Sequence, residues 1–474
     1  MNALLIDFGS TYTKLRAVAL DPPGILASGQ GPSTADTDIT RGMALALQDL
    51  ERHLGRLPEF RYRLACSSAA GGLRMVTVGL VRELTAEAAR LAALGAGARL
   101  VGGFAQHLTA ADLAGIEALA PDILLLAGGT DGGNREVILE NARALAESAV
   151  RCPMVIAGNR AAGDEVAAIL VAAGKSAIVC ENVMPEFGQL NIEPARDAIR
   201  NVFIDRIVHA KGIDRARALF DRVLMPTPAA VMEGARLLAA GHGGVSGLGE
   251  LMVIDVGGAT TDVHSVAEGG PAGSGVIQRG LPEPYVKRTV EGDLGMRHNA
   301  GSIVTAAGLD VIARGAGLAA HRTETIVGQF SSDIARLPEN DEERALDTAL
   351  ARAAVGLAVR RHAGIIETVY TVNGPVAIQR GKDLTNLRTV IGTGGAFSHG
   401  KEAERILRAS LADASDPFSL RPAEPTFLVD KHYLLFAVGL LGQVAPEAAA
   451  ALGKSQLEPT GGTNAYEQSS IAGS

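Results

Sequence analysis

One short pattern occurs twice in this chain, and each copy opens a half of it. The apolar run Ala3-Leu4-Leu5-Ile6 leads into Asp7-Phe8-Gly9-Ser10-Thr11-Tyr12-Thr13-Lys14, and Leu251-Met252-Val253-Ile254 leads into Asp255-Val256-Gly257-Gly258-Ala259-Thr260-Thr261-Asp262. A second strand-like run follows each, Leu15 to Leu20 and Val263 to Val266. Both stretches therefore read as β-hairpins with turns of Gly, Ser and Thr. Glycine lets a backbone pass close to a ligand and turn its N–H groups toward an anion, and hydroxyls add donors. The leading Asp would repel a bare phosphate, so the pattern makes chemical sense when a cation or its waters lie between. Mg²⁺ suits that place, because it keeps several waters and takes few protein carboxylates when it rides on a nucleotide. A single Asp-x-Gly-Ser/Thr turn is an ordinary tight turn; repetition is what gives this one weight.

A third glycine turn adds to the pair. Val390-Ile391-Gly392-Thr393-Gly394-Gly395-Ala396-Phe397 reads as a strand running into Gly-rich backbone, ahead of a helical stretch from Lys401 to Leu411. With these three turns the chain resembles the actin, sugar-kinase and heat-shock-chaperone ATPase superfamily. The resemblance implies an α/β, two-lobed actin-like ATPase (ribonuclease H-like) fold. In that superfamily the two hairpins grip the phosphates from opposite lobes and the third turn faces the adenosine.

Size and charge agree with such a fold. At 474 residues the chain exceeds the length at which single cores stop growing. The net charge of −8 supplies no attraction for nucleic acid or an anionic membrane. No apolar run approaches membrane-spanning length, Tyr433 to Leu441 being too short. With a strand expected from Ala3, no signal peptide is predicted. Cys66, Cys152 and Cys180 are odd in number and lack metal-like spacing, which suits a reducing cytoplasm, and they read as buried small hydrophobes.

The anchors organise the rest. Residues 1–95 form the first lobe, with hairpin one, a strand at Tyr62 to Cys66 and a helix at Thr85 to Leu94. Residues 96–185 form an inserted α/β segment. Its strands are expected at Ala98–Val101, Ile123–Leu126, Met154–Ala157 and Ala177–Cys180. Helical patterns at Ala105–Ala118, Arg135–Ala149 and Ala161–Ala173 lie between, an alternation that predicts a parallel sheet. The Gly128-Gly129-Thr130-Asp131-Gly132-Gly133-Asn134 turn falls at the carboxyl end of a strand, where open α/β sheets bind ligands, although a plain chain reversal reads as well. Residues 186–248 return to the first lobe and end in a proline-started helix, Pro226-Thr227-Pro228-Ala229 onward. Residues 249–445 form the second lobe. It includes a hairpin at Ile365–Gln379 with Asn373-Gly374 as its turn and Pro375 suggesting an edge strand. Its helix from Leu434 to Gln443 has small residues at Ala437, Gly439 and Gly442, which would let it cross the Pro226 helix closely as a hinge. Residues 446–474 read as a disordered tail.

Several stretches are more specific. Ala65-Cys66-Ser67-Ser68-Ala69-Ala70-Gly71-Gly72-Leu73-Arg74-Met75, Leu125 to Asn134, Glu181-Asn182-Val183-Met184-Pro185, Thr289-Val290-Glu291-Gly292-Asp293-Leu294-Gly295-Met296-Arg297 and Ile391 to Gly395 together resemble the MutL/GlmL family. Its members are accessory proteins of adenosylcobalamin-dependent glutamate mutase and related mutases. The resemblance runs from about Asn2 to Leu441 and implies an ATP-dependent reactivase or chaperone whose partner is a cobalamin mutase subunit.

It also implies roles for residues. Gly9, Ser10, Thr11, Gly257, Gly258, Ala259 and Thr260 would supply donors to the phosphates of ATP. Lys14 would place its charge beside them, unless it is simply an outward-facing strand lysine. Asp7 and Asp255 would hold hydrated Mg²⁺ or position the attacking water, and Asp262 would brace its hairpin or touch a metal-bound water. Gly392, Gly394 and Gly395 would let the backbone lie along the adenosine. One place departs from the pattern: the heat-shock chaperones carry an acid just before the Pro-Thr, and here Met225 cannot act as a base. Glu291 and Asp293 are neighbouring acids that read as the start of a helix after the turn. Three rival functions stay open on this fold. A small-molecule kinase would need a catalytic Asp with no assignable candidate. A hydantoinase-like hydrolase would need a His and acid cluster that the ten scattered histidines do not spell. An actin-like filament subunit would pellet with ATP.

Overall fold

The computed structural model describes residues 1–9, 12–34, 38–68, 73–210, 220–334, 336–372, 374–398 and 402–460, with backbone alone for 206–210 and 222–224. The chain forms two compact units. The first comprises Met1–Gly234, Gln278–Arg288 and Phe436–Leu452; the second comprises Ala235–Ile277, Thr289–Leu435 and the described residues from Gly453.

In the first unit, strands β1 (Asn2–Phe8), β2 (Tyr12–Leu20), β3 (Pro23–Pro32) and β4 (Tyr62–Ser67) belong to one sheet. The run Ala3 to Phe8 is buried throughout because β1 is central, antiparallel to β2 and parallel to β4. Leu4, Ile6 and Phe8 pack with Met43, Ala46 and Leu50 of helix α1 (Ile39–Leu54). Asp38 starts that helix by accepting the Thr40 N–H at 3.0 Å, and Gly55 at φ 74° ends it.

A second sheet in this unit is wholly parallel. Its strands are β5 (Arg74–Gly79), β6 (Arg99–Ala105), β7 (Ile123–Leu126), β8 (Met154–Ile156) and β9 (Ala177–Val179), in the order β6-β5-β7-β8-β9. Helices α2 (Thr85–Gly95), α3 (Ala110–Leu119), α4 (Glu136–Glu147) and α5 (Arg160–Ala172) connect them. The period of two puts Ile123 and Leu125 in one core and Leu124 and Leu126 in another, the latter with Ile116, Ile138 and Val166 of α3, α4 and α5. The alternation expected for the inserted segment is thus present. Its sheet, however, begins at β5, earlier than residue 96. Arg74 is exposed and Thr77 interrupts the apolar run, which hides this strand from a hydrophobicity reading even though Thr77 is buried. After helix α6 (Glu193–Ala210), strand β10 (Arg222–Pro226) completes the first sheet as β3-β2-β1-β4-β10, and helix α7 (Thr227–Ala240) follows directly.

The second unit repeats the scheme. After a short ribbon, β11 (Gly241–His242) and β12 (Val245–Ser246), come β13 (Leu251–Val256), β14 (Thr261–Val266), β15 (Ile277–Gln278) and β16 (Val286–Glu291). Helices α8 (Ala300–Ala307), α9 (Leu309–Ala316), α10 (Ala320–Ser332) and α11 (Asp341–His362) follow, then β17 (Ile365–Thr371), β18 (Gly374–Arg380), β19 (Thr389–Thr393) and β20 (Thr426–Val429). With the last strand, β21 (Glu458–Pro459), the sheet order is β16-β14-β13-β19-β20-β21. Here too the first strand lies antiparallel to its hairpin partner and parallel to the next, β19, itself parallel to β20. The strand order is thus duplicated, in line with the actin-like expectation from the sequence. Met252, Ile254 and Val256 pack with Leu346, Leu350 and Val355 of α11. That helix carries Asp341, Glu342 and Glu343 in its first turn and Arg360, Arg361 and His362 in its last, matching its dipole.

Helix α14 (Leu435–Gly442), after the short helices α12 (Gly395–Ser398) and α13 (Ala403–Leu407), follows β20 as α7 follows β10. Within the first unit it crosses α7 at backbone contact, since a Cβ on Gly439 would lie 1.8 Å from the Ala230 carbonyl oxygen. Three expectations need correction. Residues 446–474 are not all tail: Pro446–Ser455 form helix α15 with buried Ala449, Ala450 and Leu452, which an Ala-rich apolar face accounts for, and Glu458–Pro459 pair with β20. Residues 461–474 lie outside the described residues. In the β17–β18 hairpin, Thr371 pairs with Gly374, so Gly374 belongs to strand β18 and not to the turn; Asn373 is outside the described residues. Strand β18 is the middle strand of β15-β18-β17, and Pro375 stands at its start, where a missing N–H is tolerated. Among the described residues no helix is long and apolar enough to cross a membrane.

Candidate functional site

The carboxyl end of β1 presents Asp7. Register sets it opposite Lys14 on β2 and Cys66 on β4. Asp7 is 2 % exposed, and its Oδ1 accepts the Thr227 hydroxyl at 2.6 Å with the Cys66 thiol at 3.6 Å. Burial pushes the Asp7 carboxyl above its usual range, and the Lys14 ammonium pulls it back down, followed by the Thr227 and Cys66 hydrogen bonds. Lys14 therefore acts on the Asp7 charge, whichever way its chain extends. The same surroundings push the Cys66 thiol well up, through burial and then the Asp7 charge. Gly9 closes the turn by donating its N–H to the Tyr12 carbonyl at 3.0 Å, and a Cβ there would stand 2.5 Å from that oxygen. Ser10 and Thr11 lie outside the described residues.

The second hairpin has the same register, with Asp255 opposite Asp262 and, on β19, opposite Thr393. Gly257 donates to the Thr260 carbonyl at 2.9 Å, as Gly9 does to Tyr12. A neighbouring segment then takes up the turn's carbonyls. Met296 N–H donates to Gly257, the N–H groups of Arg297 and His298 to Gly258, and Asn299 Nδ2 to Ala259. In a trans peptide the C=O and the following N–H point in opposite directions. With the carbonyls of 257, 258 and 259 turned to the 296–299 segment, the N–H groups of Gly258, Ala259 and Thr260 face the other way. Successive N–H groups turned to one side are the arrangement from which anion-binding concavities are built. Gly295 makes it possible, because a Cβ there would lie 2.3 Å from the Ala259 carbonyl carbon. The side chain of Asp262 accepts from the Thr260 hydroxyl at 2.9 Å, a brace for the hairpin.

The third turn meets the second. Gly394, at φ 94°, has the Asp255 Oδ1 2.5 Å from its Cβ position, so any side chain would displace that carboxylate. Gly395 has open space at its Cβ position. Gly392 is different: it is buried within β19 against the ring of Phe397, which explains its identity by packing. Thr393 donates to Asp430 at 3.0 Å, and Asp430 caps α14 by accepting Leu434 N–H at 2.8 Å and Leu435 N–H at 3.0 Å. A cavity of about 600 Å³ on this unit has Arg405, Arg408 and Lys431 among its lining residues. It shares none of those residues with the three turns.

The carboxylates fit hydrated Mg²⁺ in their chemistry. Both are hard oxygen donors at glycine turns, and Asp7 keeps Oδ2 on the Gly9 side, 3.7 Å from the Cβ position there. Glu291 and Asp293 do not start a helix, since α8 begins only at Ala300. They instead bind Arg361, Glu291 at 2.6 Å and Asp293 at 2.8 and 3.0 Å. Burial raises the Glu291 carboxyl, with Arg361 opposing, and Arg361 lowers Asp293. Met225, the residue just before the Pro-Thr, is buried on β10 beside Cys66.

Sequence reasoning missed Thr227, Cys66, Asp430 and Gly295. Aligning the two halves strand by strand would have flagged the first three, since Cys66 stands at the end of the parallel strand beside its hairpin, and Thr227 and Asp430 follow the parallel strand one place further out. In the inserted segment, the Gly128–Asn134 turn is a braced structure. Asn182 Nδ2 donates to the Gly129 carbonyl and to Asp131 Oδ1, both at 3.0 Å, while Asp131 N–H donates to the Pro185 carbonyl at 2.8 Å. The turn follows β7, next to β5, where the strand order reverses.

Among solved structures, similarity extends over nearly the whole chain at low identity. The activator of the 2-hydroxyisocaproyl-CoA dehydratase from Clostridium difficile is 11% identical, covers 94% of this chain and 96% of its own, and has a TM-score of 0.29. Xylulose kinase from Bifidobacterium adolescentis is 13% identical over 97% and 96% of the two chains, with a TM-score of 0.33. The curated relative "Protein MutL" of Clostridium tetanomorphum is 47% identical over 455 residues, 96% of this chain and 98% of that one. Residues 3–457 match the family described as MutL protein, and the chain belongs to that family.

Proposed function

We propose that this protein binds ATP with Mg²⁺ and, as a cytoplasmic accessory protein, reactivates an adenosylcobalamin-dependent mutase of the glutamate mutase kind by driving exchange of damaged cobalamin. The observation that carries the nucleotide part is the second turn, whose carbonyls are tied to residues 296–299 so that the N–H groups of Gly258, Ala259 and Thr260 face outward together. Membership in the MutL family supports the mutase part.

On this reading Gly9, Ser10, Thr11, Gly257, Gly258, Ala259 and Thr260 donate to the phosphates, and Lys14 adds positive charge. Asp7 and Asp255 hold Mg²⁺ through its waters, with Asp262 bracing the second hairpin. Gly394 and Gly395 give the adenosine bare backbone to lie along. Mg²⁺, when bound, neutralises phosphate charge. With Met225 in place of an acid, hydrolysis is slow and nucleotide exchange carries much of the cycle.

Adenosylcobalamin enzymes that lose the adenosyl group keep an inert cofactor, and releasing it requires opening the protein around it. Shifting a closed site from 1:99 to 99:1 needs ~5.5 kcal/mol of differential binding. Nucleotide-dependent binding to the mutase supplies it, with the close crossing of α7 and α14 serving as the hinge. The rigid Gly128–Asn134 turn is assigned to the mutase-facing surface. Two measurements test this: a thermal-shift titration with Mg²⁺–ATP, which should raise the melting temperature, and affinity capture, which should recover a cobalamin mutase. No shift at millimolar nucleotide rejects the ATP site, and capture without any mutase rejects the partner.

A further inference from the structure

We infer that Thr227 is a positioning residue for Asp7, its hydroxyl fixing the plane of the carboxylate so that one oxygen faces the first glycine turn. The inference rests on the reading of that turn as a Mg²⁺–ATP site and adds a residue to it. Among the described residues, both side-chain donors to Asp7 converge on one oxygen: Thr227 Oγ1 at 2.6 Å and Cys66 Sγ at 3.6 Å from Oδ1. Thr227 Oγ1 also lies 3.5 Å from Cys66 Sγ, so the three groups close a triangle. The other oxygen, Oδ2, is the one on the Gly9 side. Without the two donors the plane of the carboxylate could swing over a wide range, because this terminal torsion is broad. With them, one oxygen is committed to the protein and one is presented to a ligand.

The fold holds Thr227 for this task. It is the first residue of α7, directly after β10, and Met225 and Pro226 register with Cys66 and Ser67 of β4. The rotamer is confined as well, since Thr227 is only 4 % exposed. At the counterpart place after β20, the second unit carries an acceptor instead. Asp430 takes the Thr393 hydroxyl and caps α14, so that place cannot donate a proton to a carboxylate in its ionised form. The device therefore belongs to the first unit. It sets the orientation of Asp7 before any ligand arrives.

The test separates metal binding from folding and from nucleotide binding. Thr227→Val keeps the shape and removes the donor; Thr227→Ser keeps the donor. The probe is ATP, titrated with Mg²⁺ while the melting temperature is followed, together with calorimetric ATP binding in EDTA. A hydrogen bond to a charged group is worth enough to predict about a tenfold or larger rise in the Mg²⁺ needed for half-maximal stabilisation by ATP in Thr227→Val. Thr227→Ser should stay within about twofold of the parent, and ATP affinity in EDTA should not change in either. Should Thr227→Val fold poorly, judged by circular dichroism without ligand, Cys66→Ala removes the weaker donor and should move the Mg²⁺ requirement in the same direction by less. An unchanged Mg²⁺ requirement in a well-folded Thr227→Val, or in Cys66→Ala where that variant stands in, overturns the inference. A parental protein that shows no Mg²⁺–ATP effect overturns the nucleotide reading beneath it.

Discussion

Gly439 has no room for a side chain, because the carbonyl oxygen of Ala230 lies 1.8 Å from where its Cβ would stand. Gly234 N is 3.0 Å from the same point, so α14 rests on the backbone of α7 over a full turn. The cause lies in the small residues spaced along both helices, Ala229, Ala230 and Gly234 on one and Ala437 and Gly439 on the other. Gly439→Ala should therefore destabilise the protein. Helix propensity alone would favour Ala by about 1 kcal/mol. Forcing two helix backbones apart costs about 1–3 kcal/mol or more, so the clash wins. Chemical denaturation should show a lower midpoint for Gly439→Ala; an unchanged or higher midpoint would contradict the close crossing.

Asp7 should trade stability for binding. Its folded carboxyl is raised above the unfolded value of 3.8, chiefly by burial. A raised acid binds its proton more tightly in the native state. The charge is thus a liability that is fully present once pH exceeds the folded value and disappears below 3.8. Asp7→Asn removes the charge and keeps an acceptor for Thr227. Without metal or nucleotide it should melt higher than the parent at neutral pH, with the gap closing toward acid. Its response to Mg²⁺–ATP should be lost. A lower melting temperature for Asp7→Asn at neutral pH would show that the buried charge is compensated.

Gly295 supports the second turn from behind, packed against the backbone of Ala259. Gly295→Ala would bring a methyl group to 2.3 Å of the Ala259 carbonyl carbon and push the turn out of its bonds to 296–299. ATP affinity should fall by about tenfold or more, since up to three charge-assisted N–H bonds are misaligned. Calorimetric titration checks this. Parental affinity in Gly295→Ala would mean that the outward N–H groups do not bind phosphate.

Much of this was legible from residues close together in sequence. Both hairpins, the βαβ alternation and the two small-residue helices carry local signals: an apolar run, a glycine turn, a period. What escaped was the long-range placement. Thr227 and Asp7 stand 220 residues apart and meet only because β10 and β1 flank β4. Strand β5 escaped because a buried threonine and an exposed arginine break its apolar pattern, and helix α15 because alanines carry little hydrophobic contrast. Glu291 and Asp293 were read by their order in the chain as helix-starting acids. Their partner, Arg361, comes from the far end of α11 and is invisible to local reading.

The central claim is that ATP drives the exchange of damaged cobalamin from a mutase. The most direct measurement loads a cobalamin mutase with labelled inert cobalamin and follows release of the label on adding this protein, with Mg²⁺–ATP and without nucleotide. Release that requires ATP, followed by recovery of activity when fresh adenosylcobalamin is supplied, is the predicted result. Equal release with and without ATP would contradict it.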